Sequence, residues 1–82
     1  MNEILERFEK LGYRIQEPTD RDRNYFFAKQ TNTGHRFIWL QVKKTPEVEV
    51  QANYQPSELT VQETELILEL VCALGYDTYR IK

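Results

Sequence analysis

Apolar residues recur with helical spacing near both ends of the chain and alternate with polar residues in between. Ile4, Leu5, Phe8 and Leu11 lie on one stripe of a helix. Asn2 can cap its start, Glu3 suits the positive end of the helix dipole, and Gly12 takes the left-handed turn that ends it. Glu3 with Arg7 and Glu6 with Lys10 stand one helical turn apart on the wet face. Toward the other end, Thr60 and Glu63 make a capping-box pattern. Ile67, Leu70, Val71 and Leu74 then form an apolar stripe, widened by Leu66 and Ala73. Glu63, Glu65 and Glu69 read as the solvent face of this second helix, and Gly75 as its stop. The stretches "ILERFEKLGY" and "ILELVCALGY" match at Ile, Leu, Glu, Leu, Gly and Tyr. A shared glycine stop, with the next residue packing back on the last turn, accounts for that likeness more simply than a duplication.

The middle of the chain reads as strands. Tyr13 to Glu17 is a short strand, followed by the polar loop "EPTDRDR". Tyr25 to Gln30 and His35 to Lys44 are two longer strands. "TNTGH" between them suits a three-residue turn, Asn32-Thr33-Gly34, with Gly34 left-handed. After the turn "KKTPE", Val48, Val50, Ala52 and Tyr54 alternate with Glu49, Gln51 and Asn53 in a fourth strand. The tail "YDTYRIK" is a further strand or an extended arm. The order α-β-β-β-β-α-β predicts a single α+β domain over residues 1–82. Its sheet is mainly antiparallel, of four or five strands, with both helices packed on one face.

Strand alternation singles out a candidate surface. In "HRFIWLQVKK", Ile38, Leu40 and Val42 share the face that matches the aliphatic stripes of the helices. His35, Phe37, Trp39, Gln41 and Lys43 point the other way. A three-residue turn puts Tyr25, Phe27 and Lys29 beside Trp39, whereas a four-residue loop puts Phe26 and Ala28 there instead. Either register builds an aromatic patch edged by Lys29 or Gln30, His35, Lys43 and Lys44, unless the Glu17–Arg23 loop or the Tyr76–Lys82 tail folds over it. Exposed aromatic clusters mark contact surfaces. The leading expectation is therefore a non-enzymatic protein–protein interaction module, an adaptor, subunit or inhibitor. Tyr25, Phe27, Phe37, Trp39 and Lys43 are its candidate partner-binding residues. A second copy of the chain is another candidate partner, because a domain of 82 residues has only a small core.

Charge changes this picture only in part. The chain carries a formal net charge of −2. Residues 1–46 hold an excess of Lys and Arg, and residues 47–82 an excess of Asp and Glu, which gives a dipolar surface. Single-stranded nucleic acid could stack on the same aromatic face, with Arg36, Lys43 and Lys44 on phosphates. A pI near 5.4 and the Glu-rich second helix favour a protein partner over that alternative. A third reading makes the acidic helix face, Glu58, Glu63, Glu65 and Glu69, a nucleic-acid mimic toward a basic partner.

Catalytic constellations are not legible. There is no His–Cys or His–Ser motif, no phosphate-cradling glycine loop and no metal-ligand spacing, so no enzyme, cofactor, metal or small-molecule substrate is expected. Asp20 and Asp22 lie between Arg21 and Arg23, which reads as a solvated, salt-bridged loop. Cys72 reads as a small buried hydrophobe and His35 as an exposed turn residue. The single cysteine excludes an internal disulfide and suggests a cytoplasmic setting. No apolar run approaches the roughly 20 residues of a membrane span, so no membrane partner is expected.

The α-β-β-β-α order resembles that of the double-stranded RNA-binding domain and of HicA-type toxins. The residues that carry either chemistry are replaced, by "TVQETE" where the first has a Lys-rich helix start and by "DRNYFF" where the second has a Gly-Ser/Thr-His motif. The segments "EKLGYRI" and "ELTVQETELILELVCALGY" resemble those of small αβββα-type uncharacterised cytoplasmic proteins of Gram-positive bacteria and their phages. That resemblance implies an accessory or inhibitory role encoded by a mobile element.

Overall fold

In the computed structural model, which describes residues 2–82, helix α1 spans Asn2–Lys10 and helix α2 spans Val61–Ala73. Both end in the same motif. Gly12 at φ +97° and Gly75 at φ +94° take the left-handed conformation. The Gly12 N–H donates to Glu9 O and Tyr13 N–H to Phe8 O; Gly75 N–H donates to Cys72 O and Tyr76 N–H to Val71 O. These two pairs of bonds define a Schellman cap, which satisfies the last carbonyls and turns an apolar residue back onto the helix. The Phe8 and Tyr13 rings meet edge-on at 6.0 Å between centroids. The likeness of the two helix ends thus has a local physical cause.

Five antiparallel neighbours run in the order β1(Arg14–Gln16), β2(Asn24–Thr31), β3(Gly34–Gln41), β4(Glu47–Ala52) and β5(Gln55–Pro56). A sixth strand, β6(Arg80–Ile81), runs parallel to the start of β4, with Arg80 opposite Glu47 and Ile81 opposite Val48. The tail is therefore a strand. The fourth strand is shorter than its alternation suggests, and β5 is an element the alternation did not reveal. Asn53 and Tyr54, at φ +54° and +64°, form a two-residue turn that reverses the chain. Positive φ at both central residues is the signature of the turn type whose twist matches a hairpin.

The β2–β3 hairpin decides which side chains face where. Its closing pair is Thr31 with Gly34, and the turn holds only Asn32 and Thr33. The three-residue turn is thereby corrected. The register is that of the four-residue alternative, extended by one more pair. Gly34 does take a positive φ, at +143°. A Cβ there would stand 1.7 Å from Asn53 Oδ1, which accepts a hydrogen bond from the His35 N–H at 3.0 Å. The missing side chain of Gly34 lets the β4–β5 turn plug into the β2–β3 turn.

Both helices cover one face of the sheet. Ile4, Leu5 and Phe8 of α1 and Leu66, Ile67, Leu70 and Val71 of α2 share one cluster with Tyr13, Tyr25, Phe27, Ile38, Leu40, Val48 and Val50. The Phe8 and Phe27 rings stack at its centre, 4.3 Å apart. Arg7 does not pair along its own helix with Glu3. It reaches across to Glu69 of α2 at 2.8 Å. Cys72 and Ala73 are exposed, on the side of α2 away from the core, so neither belongs to the buried stripe. Among the described residues no helix is long and apolar enough to cross a membrane.

Candidate functional site

A polar lock ties the sheet to the start of α2. Arg36 leaves β3 on the same side as Ile38 and Leu40, toward the helices. Its guanidinium meets the Glu63 carboxylate in a two-point contact, Nη2 to Oε1 at 2.6 Å and Nε to Oε2 at 3.0 Å. Nη1 donates to Ser57 Oγ at 3.2 Å, and Nη2 also donates to the Glu58 carbonyl. The Tyr13 hydroxyl donates to Glu63 Oε2. Glu63 in turn completes the cap of α2, with Oε1 accepting from the Thr60 N–H and its own N–H donating to Thr60 Oγ1. Glu63 is only 2% exposed. Burial by itself pushes its carboxyl up, but the hydrogen bonds from Arg36, the Thr60 backbone and Tyr13 outweigh that and hold it at about 2. Burial and the Glu63 carboxylate push the Tyr13 phenol well above its ordinary value. Among the described residues no buried side-chain nitrogen or oxygen lacks a partner.

Two expectations are corrected by this lock. Glu63 is not part of a solvent-facing acidic set; Glu58, Glu65 and Glu69 are exposed, but Glu63 stands one helical turn before Ile67 and shares its buried side. Arg36 is committed beneath the sheet and is not presented beside the rings of the open face.

The helix-free face carries the aromatic patch. Phe26 lies opposite Trp39 and Ala28 opposite Phe37. Phe26 and Trp39 are 5.1 Å apart between ring centroids, Phe37 and Trp39 are 5.6 Å apart, and Phe26 and Phe37 are 5.7 Å apart. Phe37 also meets Tyr54 at 5.8 Å and the exposed His35 at 6.1 Å. Each of Phe26, Phe37 and Trp39 is partly exposed, because each ring shields part of the next, and Tyr54 is 71% exposed. Tyr25 and Phe27, expected beside Trp39, point the opposite way into the core, 6% and 0% exposed. One residue less in the turn moved the whole of β2 by one step, and a step of one exchanges the faces of a strand. Phe26 and Tyr54 are the patch residues that alternation missed. A two-residue turn would have placed Phe26, and Asn53-Tyr54 carries no glycine to mark it as a turn.

Charged groups rim this face without covering it. Lys43 lies in the turn after β3 rather than on the strand and pairs with Glu47 at 2.8 Å. Arg80 pairs with the same carboxylate at 2.9 Å, and Lys82 approaches Glu49 at 3.9 Å. The tail therefore flanks the rings. The Glu17–Arg23 loop borders Tyr25, Val42 and Leu74 on the helix side. That loop is held by the Thr19 hydroxyl, which accepts from the Asp22 N–H at 3.1 Å, with no ion pair to Arg21 or Arg23 among the described residues. On the opposite flank, Arg14, Gln16, Phe26 and Ala28 line an open hollow of about 350 Å³. Arg14 makes no ion pair among the described residues. Such a surface can stack flat groups and bury apolar side chains inside a polar rim. Among the described residues no group of His, Cys, Asp and Glu is gathered to hold a metal ion. Comparison with protein-family models, curated proteins and solved structures finds no match to this chain.

Proposed function

We propose that the domain is a non-enzymatic protein–protein interaction module that docks its partner on the helix-free face of the sheet. The observation that carries this reading is the continuous row Phe26, Trp39, Phe37 and Tyr54, partly open to solvent on a face that neither α1 nor α2 covers. Aromatic rings give large contact area at low entropic cost, and interfaces favour them. Tyr54 strengthens the reading. It holds φ +64° in a turn where glycine would be free of strain, and its ring is exposed rather than packed in the core. Around the rings, Arg14, Lys43, Arg80 and Lys82 outnumber Glu47 and Glu49, so the fitting partner presents apolar side chains ringed by carboxylates.

The test compares affinity capture by wild type and by two surface variants, Trp39→Ala and Tyr54→Gly, each first checked to remain folded with a cooperative melt. Capture is repeated after nuclease treatment and read by quantitative mass spectrometry. A protein held by wild type, lost by both variants and resistant to nuclease supports the proposal. Equal capture by all three chains overturns it. Capture that disappears with nuclease transfers the face to single-stranded nucleic acid. A mass of two chains in solution that falls to one in Trp39→Ala transfers it to a homodimer.

A further inference from the structure

The geometry points to a second docking surface, on the outer face of α2, shaped for a basic amphipathic helix of a partner protein. The core-facing side of α2 is complete in Glu63, Leu66, Ile67, Leu70 and Val71. The opposite side should be polar in a helix that meets only solvent. Instead Val61 is 76% exposed, Leu68 is 46% exposed, and Cys72 is exposed as well. With Glu65 they follow steps of four, three and four residues, the seam along which two helices pack knobs into holes. The seam runs the length of α2, Val61–Ala73, and no element among the described residues covers it.

Charge selects the occupant. Glu65 sits within the seam, exposed; Glu69 lies beside it on the α1 side, and Glu58 is exposed just before the helix. On the neighbouring helix Glu3, Glu6 and Glu9 are exposed, against only Arg7 and Lys10, and Arg7 is already held by Glu69. A second copy packed symmetrically on this seam would set Glu65 against its own counterpart if the two helices ran parallel and against Leu68 if they ran antiparallel, and neither contact gives the carboxylate a partner. A helix with an apolar stripe beside Lys or Arg residues buries Val61 and Leu68 and sets its cations against Glu65 and the excess of exposed carboxylates on the helix side of the domain. This surface stands apart from the ring row and does not depend on it. If both are used, one small domain bridges two proteins.

The probe is a synthetic helix of about 18 residues made of Leu and Lys, with Leu at helical spacing. Its control is a scrambled peptide of the same composition. The single cysteine, Cys72, takes a fluorophore at the seam for anisotropy, and amide shifts in NMR locate the contact. The inference expects saturable one-to-one binding, shifts along α2, and affinity at least tenfold lower for the scrambled peptide and for unlabelled Leu68→Gln measured by NMR titration. Leu68 is exposed, so that variant should melt like wild type; Glu65→Gln, which leaves the apolar stripe intact, should weaken binding less. Tyr54→Gly should bind the probe as wild type does. Equal binding of the scrambled peptide, shifts at Phe37 and Trp39 instead of α2, or a dimer of the chain that Leu68→Gln dissociates would overturn it.

Discussion

At the scale of single residues, the consecutive run Tyr25, Phe26, Phe27 shows how position outranks residue type. Phe27 is fully buried against Phe8, while Phe26 is partly exposed beside Trp39. Phe27→Ala should cost about 3–5 kcal/mol, because it removes the centre of the core. Phe37→Ala, on the open face, should cost about 1 kcal/mol or less by urea unfolding, while removing a hub of the ring row. Arg36 and Glu63 behave differently again. Arg36→Ala leaves the Glu63 carboxylate buried without its main partner, an expected loss of about 3–5 kcal/mol. The same pair sets a pH dependence. Glu63 has a folded value of about 2 against an ordinary 4.5, so its stabilisation is complete above the ordinary value and disappears as pH falls toward the folded one. Wild type should therefore exceed Glu63→Gln in urea midpoint at neutral pH, and the gap should narrow steadily on acidification through that window. A gap that stays constant would mean that Glu63 is not held by Arg36.

Among the elements, the turns carry the most specific demands. Gly34→Ala forces a side chain onto Asn53 and breaks the plug between two hairpins, so thermal denaturation should show a loss of more than about 1 kcal/mol. Gly75 has the same left-handed requirement but nothing within 4 Å of an added Cβ, so Gly75→Ala should be the milder of the two. Tyr54→Gly should move the other way. Glycine relieves a left-handed backbone worth roughly 1–2 kcal/mol to an L-residue, partly offset by lost contact with Phe37. The domain should melt at an equal or higher temperature while the ring row loses its most exposed member. A large drop in melting temperature would show instead that Tyr54 serves the fold.

For the whole molecule, the sheet separates two surfaces of different charge. The rings lie within a rim richer in cations, and the helices present mostly carboxylates on the far side. A net charge of −2 hides this division. Binding on either side should be independent of the other, because the sheet and the apolar core lie between them. Trp39→Ala and Leu68→Gln should accordingly each abolish one interaction and leave the other, a result read from paired titrations.

Periodicity and local capping patterns by themselves determined the two helices, their glycine stops, the capping box of the second, the antiparallel α+β architecture and the existence of an aromatic face, whereas Asn2, read as the cap of the first helix, is its first helical residue. These follow from local rules. A glycine can end a helix wherever it stands, and a strand alternates whatever it pairs with. Tertiary structure alone decided the rest. Whether Tyr25 and Phe27 or Phe26 faced solvent rested on the length of one turn, which the pairing of Thr31 with Gly34 resolved. The positive φ of Asn53 and Tyr54 created β5 and carried Tyr54 to Phe37, at a turn without glycine. Glu63 was assigned to solvent by its charge, although its spacing from Ile67 put it on the buried stripe. Arg36 and Tyr13, 27 and 50 positions away in sequence, join the Thr60 backbone in offsetting that burial, and contacts so distant along the chain leave no local pattern to read.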